Sequence, residues 1–166
     1  WFFRDPERHI PNEPNVIVSP ADGKITEIVT EKEPIKGELC KRVTIFLSVF
    51  NVHVNRVPIA GTIEEIRYNP GKFLAAFNPK ASMDNEQNII LINNGKTHVF
   101  VKQIAGLIAR RIVCWPKKGD YYESGQRYGL IRFGSRVDIL LPETAKLSVA
   151  CGDRVSGGKS IIGYLT

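Results

Sequence analysis

Asp22-Gly23-Lys24-Ile25-Thr26-Glu27-Ile28 returns with the same rhythm as Ala60-Gly61-Thr62-Ile63-Glu64-Glu65-Ile66. Each copy places a glycine turn ahead of alternating apolar and polar residues, the period of a strand with one buried face. A second echo accompanies the first. Gly119-Asp120, four residues and Gly125 recur as Gly152-Asp153, four residues and Gly158. Gly-Asp turns are common, so neither echo is specific alone. Together they describe a chain assembled from repeated turn-and-strand units.

Outward from these copies, strand signals dominate. Val16–Val18, Lys24–Val29, Arg42–Phe50, Gly61–Arg67, Asn88–Ile92, Thr97–Ile104, Leu107–Cys114, Arg136–Leu141 and Lys146–Ala150 are rich in Val, Ile, Thr and Phe. Gly, Pro and Asn punctuate them, and 14 Gly with 10 Pro suit many tight turns. One short helix is expected over Pro70–Ser82, through Phe73-Leu74-Ala75-Ala76-Phe77. The fold class is mainly β, with closed or semi-closed sheets and one or two short helices.

At 166 residues the chain suits a single domain, or two small lobes sharing a core. No apolar run reaches the roughly 18 residues of a membrane span, and no signal peptide is visible. The chain opens Trp1-Phe2-Phe3-Arg4 without a Met, as a truncated or processed product would, so an upstream hydrophobic segment is an open expectation. The net charge of +6, from 23 Lys and Arg against 17 Asp and Glu, favours anionic partners such as lipid headgroups and phosphates. Basic residues fall singly or in pairs and no zinc-finger, helix-turn-helix or RNP signature occurs, so nucleic acid is not the expected partner. Cys40, Cys114 and Cys151 have neither the count of a disulfide framework nor the spacing of a metal site. Buried free thiols in a reducing compartment are expected, and no metal.

Three motifs carry potential chemistry: Ser19-Pro20-Ala21-Asp22-Gly23, Phe50-Asn51-Val52-His53-Val54-Asn55-Arg56-Val57-Pro58, and Arg132-Phe133-Gly134-Ser135-Arg136-Val137-Asp138. Each has a plain reading. Asp22 before Gly23 serves a turn, His53 on an apolar segment is a satisfied core histidine, and Gly134-Ser135 is a turn between strands. Each also has a chemical one. A hydroxyl beside a carbonyl that glycine lets the backbone twist is what peptide self-cleavage requires. A histidine can serve as base and acid near neutral pH.

In this order the motifs resemble the short form of the phosphatidylserine decarboxylase family. The resemblance runs from Phe2-Phe3-Arg4-Asp5-Pro6 through Trp115 to the terminal Gly163-Tyr164-Leu165. It implies self-cleavage between Gly134 and Ser135, giving 1–134 (beta chain) and 135–166 (alpha chain), with the pieces remaining associated. It implies a pyruvoyl cofactor made from Ser135, without pyridoxal phosphate or metal. The implied reaction converts phosphatidylserine to phosphatidylethanolamine and CO2 through a Schiff base. Ser135, His53 and Asp22 become the catalytic set, with Asp22 orienting His53 as in a Ser-His-Asp relay. Many relatives carry His-Arg-Val-His where this chain has His53-Val54-Asn55-Arg56, so either His53 serves both steps or Arg56 takes an electrostatic role. Asn85 and Glu86 resemble an Asn-Glu-Arg element, although capping explains them almost as well. Phe73 and Phe77 would touch acyl chains, or simply pack half-buried. The expected partners are the phospholipid and a membrane surface, met peripherally from the cytoplasmic face. A homodimer is left open.

The turn-and-strand echoes also resemble the barrel-sandwich hybrid of lipoyl-type domains. A non-catalytic lipoyl-like carrier would need a lysine in a Met-Lys-Met or Asp-Lys hairpin tip, and neither occurs. A pyruvoyl enzyme for a soluble amino acid fits the Asp22 and His53 motifs less well. An archaetidylserine decarboxylase, acting on the archaeal lipid backbone, remains open because the motifs address the polar head.

Overall fold

The computed structural model describes residues 8–48, 53–71, 85–106, 112–131 and 134–166. The chain runs through β1 (Val16–Val18), β2 (Gly23–Lys32) and β3 (Leu39–Phe46), then β4 (Val54–Arg56), β5 (Gly61–Asn69), β6 (Gln87–Asn93), β7 (His98–Ile104), β8 (Ile112–Cys114), β9 (Tyr121–Tyr122) and β10 (Arg127–Ile131). It closes with β11 (Arg136–Pro142), β12 (Lys146–Leu147), β13 (Arg154–Val155) and β14 (Ile161–Tyr164). An eight-stranded sheet, in the order β13-β2-β3-β11-β7-β6-β5-β9, curls between two three-stranded sheets, β1-β14-β12 and β4-β10-β8. The fold is mainly β, as expected.

The echoes in the sequence mark a pseudo-twofold axis between β11 and β7. Strands β13, β2, β3 and β11 on one side answer β9, β5, β6 and β7 on the other. Gly23 and Gly61 are equivalent: a Cβ on either would press into a neighbouring carbonyl, that of Phe46 or of Asn93. Close strand approach therefore demands glycine at both places. Register irregularities follow at the same point in each copy, between Ile25 and Glu27 and between Ile63 and Glu65. The Gly-Asp turns match bond for bond. Gly119 and Gly152 donate to Ile63 and Ile25, each at 2.7 Å. The carboxylates of Asp120 and Asp153 accept from the amides of Lys117 and Ala150, each at 2.8 Å.

One repeat is thus β4 to β10, continuous in sequence, and the other is β1 to β3 completed by β11 to β14. The first is inserted into the second. The insertion point is the tip of a hairpin. In the continuous repeat the Asn94 amide bonds to the Thr97 carbonyl (3.2 Å) and closes the β6–β7 turn. In the interrupted repeat the equivalent bond joins the Leu47 amide to the Ser135 carbonyl (2.8 Å). Ser135 stands where Thr97 stands, and the whole other repeat fills the turn.

One apolar core serves both repeats, with Ile17, Ile25, Ile45, Ile63, Ile90, Val101, Val137, Ile139 and Ile162 buried together. Each such side chain contributes about 1.5–3 kcal/mol relative to exposure. The other face of the large sheet carries a smaller cluster of Cys40, Ile89, Leu91, Phe100 and Leu140.

Several boundaries differ from expectation. The strand expected over Arg42–Phe50 begins at Leu39 and ends at Phe46, because Leu47 turns to meet Ser135. Lys146–Ala150 shortens to Lys146–Leu147, since Ala150 opens the Gly-Asp turn. The short strands β4, β9, β10, β13 and β14 were not anticipated. The expected helix lies outside the described residues apart from its first two positions, and no helix occurs among those described. Of the cysteines, Cys40 is buried, Cys114 intermediate and Cys151 exposed, so the expectation of buried thiols fails at Cys151, which sits in a surface turn.

Candidate active site at the Gly134–Ser135 junction

Ser135 enters the fold through the backbone bond to Leu47, one residue before β11, and is completely buried. Its Oγ is shielded from solvent and has no hydrogen-bond partner among the described residues. A buried hydroxyl without a partner carries an uncompensated desolvation cost. Gly134 before it has φ of +57°, with nothing within 4 Å of where a Cβ would sit. Backbone conformation alone, without crowding, therefore favours glycine there. The scissile candidate combines a left-handed residue with a hydroxyl held out of water.

His53 stands at the other end of the insertion. It immediately precedes β4, is completely buried, and its carbonyl accepts a bond from Ile131, the last residue of β10 (3.1 Å). The insertion thus begins at His53 and returns beside it just before Ser135. Asn85 and Glu86 immediately precede β6 and clasp Ala105, the residue that follows β7. Asn85 Nδ2 donates to the Ala105 carbonyl (2.6 Å), and the Ala105 amide donates to the Glu86 carbonyl (2.9 Å). Arg136 pairs with Ile104 on the same strand, so this clasp fixes the β7 end alongside Ser135. Glu86 is itself buried and accepts from Tyr68 Oη.

Asp22 and Arg56 each bond to a turn that follows a Gly-Asp turn, at Gly157 and at Gly125. Asp22 Oδ2 pairs with Arg8 Nη2 at 2.8 Å, and Oδ1 accepts the Gly157 amide at 2.6 Å. Arg56, 6% exposed, sends Nη1 to the Gly125 carbonyl (2.9 Å) and its amide to Pro20 (2.9 Å). Along β4, His53 and Arg56 lie three positions apart, about 10 Å in a strand. Phe73 and Phe77 lie outside the described residues.

Sequence reasoning missed Arg8, whose guanidinium fixes Asp22, and a buried amide chain beside β4. Gln103 donates to Asn55 Oδ1 (3.0 Å) and to the Val113 carbonyl (3.1 Å), and accepts from Asn88 (3.3 Å). Asn55, Gln103 and Asn88 are all buried. The available signal was three amides set into apolar strand segments, where each needs a partner. Nearby, burial raises the Cys114 thiol to about 11 despite a lowering bond from Asn88, and burial raises the Tyr128 phenol well above its ordinary value.

Among the described residues no three His, Cys, Asp or Glu side chains converge as a metal set. A cofactor made from Ser135 fits what is present: a buried hydroxyl with no partner among the described residues and a left-handed glycine before it.

Comparison with known proteins gives one answer. The family described as phosphatidylserine decarboxylase matches residues 1–163. A phosphatidylserine decarboxylase proenzyme of Desulfotalea psychrophila is 53% identical, over 99% of this chain and 78% of that protein. Proenzymes of the same name from Syntrophus aciditrophicus and Chlorobium chlorochromatii are 49% and 51% identical, each over 98% of this chain and covering 78% and 77% of those proteins.

Proposed function

The chain belongs to the phosphatidylserine decarboxylase family, and from that premise we propose that it is a proenzyme that cuts itself at Gly134–Ser135 and removes CO2 from phosphatidylserine, leaving phosphatidylethanolamine. The observation that carries the reading is the buried Ser135 Oγ, without a partner among the described residues, beside left-handed Gly134.

His53 takes the proton from Ser135 Oγ, which attacks the Gly134 carbonyl carbon. The C–N bond of that peptide breaks and an ester to the serine oxygen forms. Loss of the Ser135 α-proton expels the ester oxygen, so Gly134 leaves as a carboxylate. Water then replaces the nitrogen at 135, which departs as ammonia, and a pyruvoyl group caps residue 136. When formed, that group supplies an electron-withdrawing carbonyl for the charge released as CO2 departs. His53, buried at the junction, can return a proton to the substrate carbon. Asp22 is the carboxylate that favours the protonated histidine. Arg56 and the Asn85–Glu86 clasp set the pocket for the polar head, and Phe73 and Phe77 meet the acyl chains.

The two pieces stay together because cleavage cuts no strand. Strand β11 lies between β3 and β7, β14 pairs with β1, and β13 pairs with β2. Contact with the membrane is peripheral, favoured by the +6 charge. Intact mass under denaturing conditions, with CO2 release from phosphatidylserine, tests the reading. Two pieces and activity are expected from the native chain, and one inactive piece from Ser135→Ala. An uncut, active native chain overturns it.

A further inference from the structure

Lys102 is a charged residue that the proposed reaction does not use. It is 9% exposed, and its ammonium makes neither hydrogen bond nor ion pair among the described residues. It points to the sheet face opposite Val101 and Val137, since strand side chains alternate. Its cross-strand neighbours there are Asp138 on β11 and Ile89 on β6. Asp138 is held by Arg136, at 3.1 and 3.0 Å, and makes no ion pair with Lys102. The stem is packed away, but the ammonium itself is not among the atoms closed off from solvent; it faces the cavity, where an anion can reach it.

The fold itself does not call for a cation at this place. Under the pseudo-twofold relation Lys102 corresponds to Leu140, and the neighbouring pair Asp138–Lys102 corresponds to Phe100–Leu140. Leu140 is completely buried in the small apolar cluster. One repeat fills the position with leucine, and the other fills it with an amine that opens into a cavity.

That cavity measures about 550 Å³ and is lined by Lys102, Arg67, Tyr68, Ile89, Pro34 and Pro70, among others. The size is that of a small-molecule site and far exceeds a bare phosphate. Arg67 is half exposed at the rim and lightly committed, to Glu65 at 2.9 Å. Pro34, Ile89 and Pro70 give apolar walls. The combination of one sunken cation, one cation at the mouth and an apolar lining suits an anion carrying a hydrocarbon part.

We propose that this cavity between β5, β6 and β7 holds the phosphate of an anionic amphiphile, a phospholipid headgroup, through Lys102 and Arg67, neither of which the proposed reaction uses. Lys102 supplies the inner charge, and Arg67 the second donor set at the rim.

The test uses the full chain as Ser135→Ala, so that its outcome is independent of self-cleavage and decarboxylation. Lys102 is acetylated with acetic anhydride and its modification rate is read by peptide mass spectrometry. The probes are lysophosphatidic acid, inorganic phosphate and a neutral monoacylglycerol of the same chain length. Lysophosphatidic acid is expected to protect Lys102 at a concentration at least about tenfold below that needed with inorganic phosphate, and the monoacylglycerol not at all. In calorimetry Lys102→Met should lose about tenfold in lysophosphatidic acid affinity and Lys102→Arg should retain most of it. The fold should survive Lys102→Met because leucine occupies the equivalent position; if it does not, the labelling result decides. Equal protection by inorganic phosphate makes this a simple anion site and overturns the lipid assignment. No protection by lysophosphatidic acid, or protection by the neutral lipid, overturns the site.

Discussion

Arg136 closes on Asp138 through two hydrogen bonds, Nε to Oδ1 at 3.1 Å and Nη2 to Oδ2 at 3.0 Å, with both side chains buried. The clamp begins one residue after Ser135 and fixes the first turn of pleat in β11. Asp138→Asn should strand a buried guanidinium and cost roughly 3–5 kcal/mol, whereas Arg136→Met combined with Asp138→Leu should recover most of that. The repeat relation supports the second expectation, since Phe100 stands in for Asp138 on the other side. Urea unfolding of the three proteins checks it. A single variant as stable as the native chain would show the clamp to be incidental.

On the proposed reading, maturation depends on the hydroxyl at 135. Ser135→Ala should remain one chain of full mass, folded as judged by circular dichroism and devoid of decarboxylation. Full activity from that variant removes the self-processing reading.

Asp22 and Arg8 can be separated experimentally. Asp22→Asn keeps the shape of the turn and removes the charge, so cleavage should slow by up to about 10⁴ if the carboxylate stabilises a protonated His53. Arg8→Met leaves that charge in place and should slow cleavage far less. Equal slowing in the two variants would make Asp22 an anchor for Arg8 and remove it from the relay. Time courses of the cleaved fraction, by denaturing electrophoresis, distinguish the cases.

His53 immediately precedes β4 and Arg56 ends it. His53→Ala should not mature. Arg56→Lys should mature and bind substrate less well, because lysine lacks the planar donor fork that reaches Gly125. Cleavage and turnover measured side by side would reverse the roles if His53→Ala matures normally while Arg56→Lys does not.

Alkaline pH should weaken the fold through its thiols. Burial, reinforced by Glu31 and Glu33, raises Cys40 to about 11, and burial raises Cys114 to about 11, from an ordinary 9.0. Between 9 and 11 the folded chain therefore holds protons that the unfolded chain has released. The contribution is complete below pH 9 and is lost as pH rises towards 11. Tyr128, raised by burial, extends the same trend above 10. Melting temperatures from pH 8 to 11 should fall, and Cys40→Ala with Cys114→Ala should flatten the part between 9 and 10. An unchanged slope in the double variant contradicts this.

Much of the architecture was legible because it is written twice. Gly23 and Gly61, and the two Gly-Asp turns, are demanded by close strand contact and by turn geometry, and both demands act locally. The short strands were hidden because two to five residues cannot display a period, and because β4 and β10 carry Arg56 and Arg127 where apolar residues would have signalled burial. Ser135, His53 and Asp22 were proposed from motifs, and each motif could be read locally. How His53 and Ser135 are anchored could not be read, since they are held by backbone bonds to Ile131 and Leu47 respectively, to which any residue contributes equally. Arg8 escaped notice for a similar reason: nothing in the local sequence announces a partner fourteen positions away.

The insertion of one repeat into a hairpin of the other alters what a cut means for refolding. The precursor can renature as a single chain, at a rate independent of its concentration. Once severed at 134, the molecule consists of a long piece holding β1 to β10 and a short piece holding β11 to β14, and neither contains both strands of the axial pair β11–β7. Recovery after unfolding then becomes a bimolecular encounter that slows with dilution. A molecule cut there would owe its persistence to slow unfolding rather than to ready refolding, and the proposed maturation would be a one-way step in its history as well as in its chemistry.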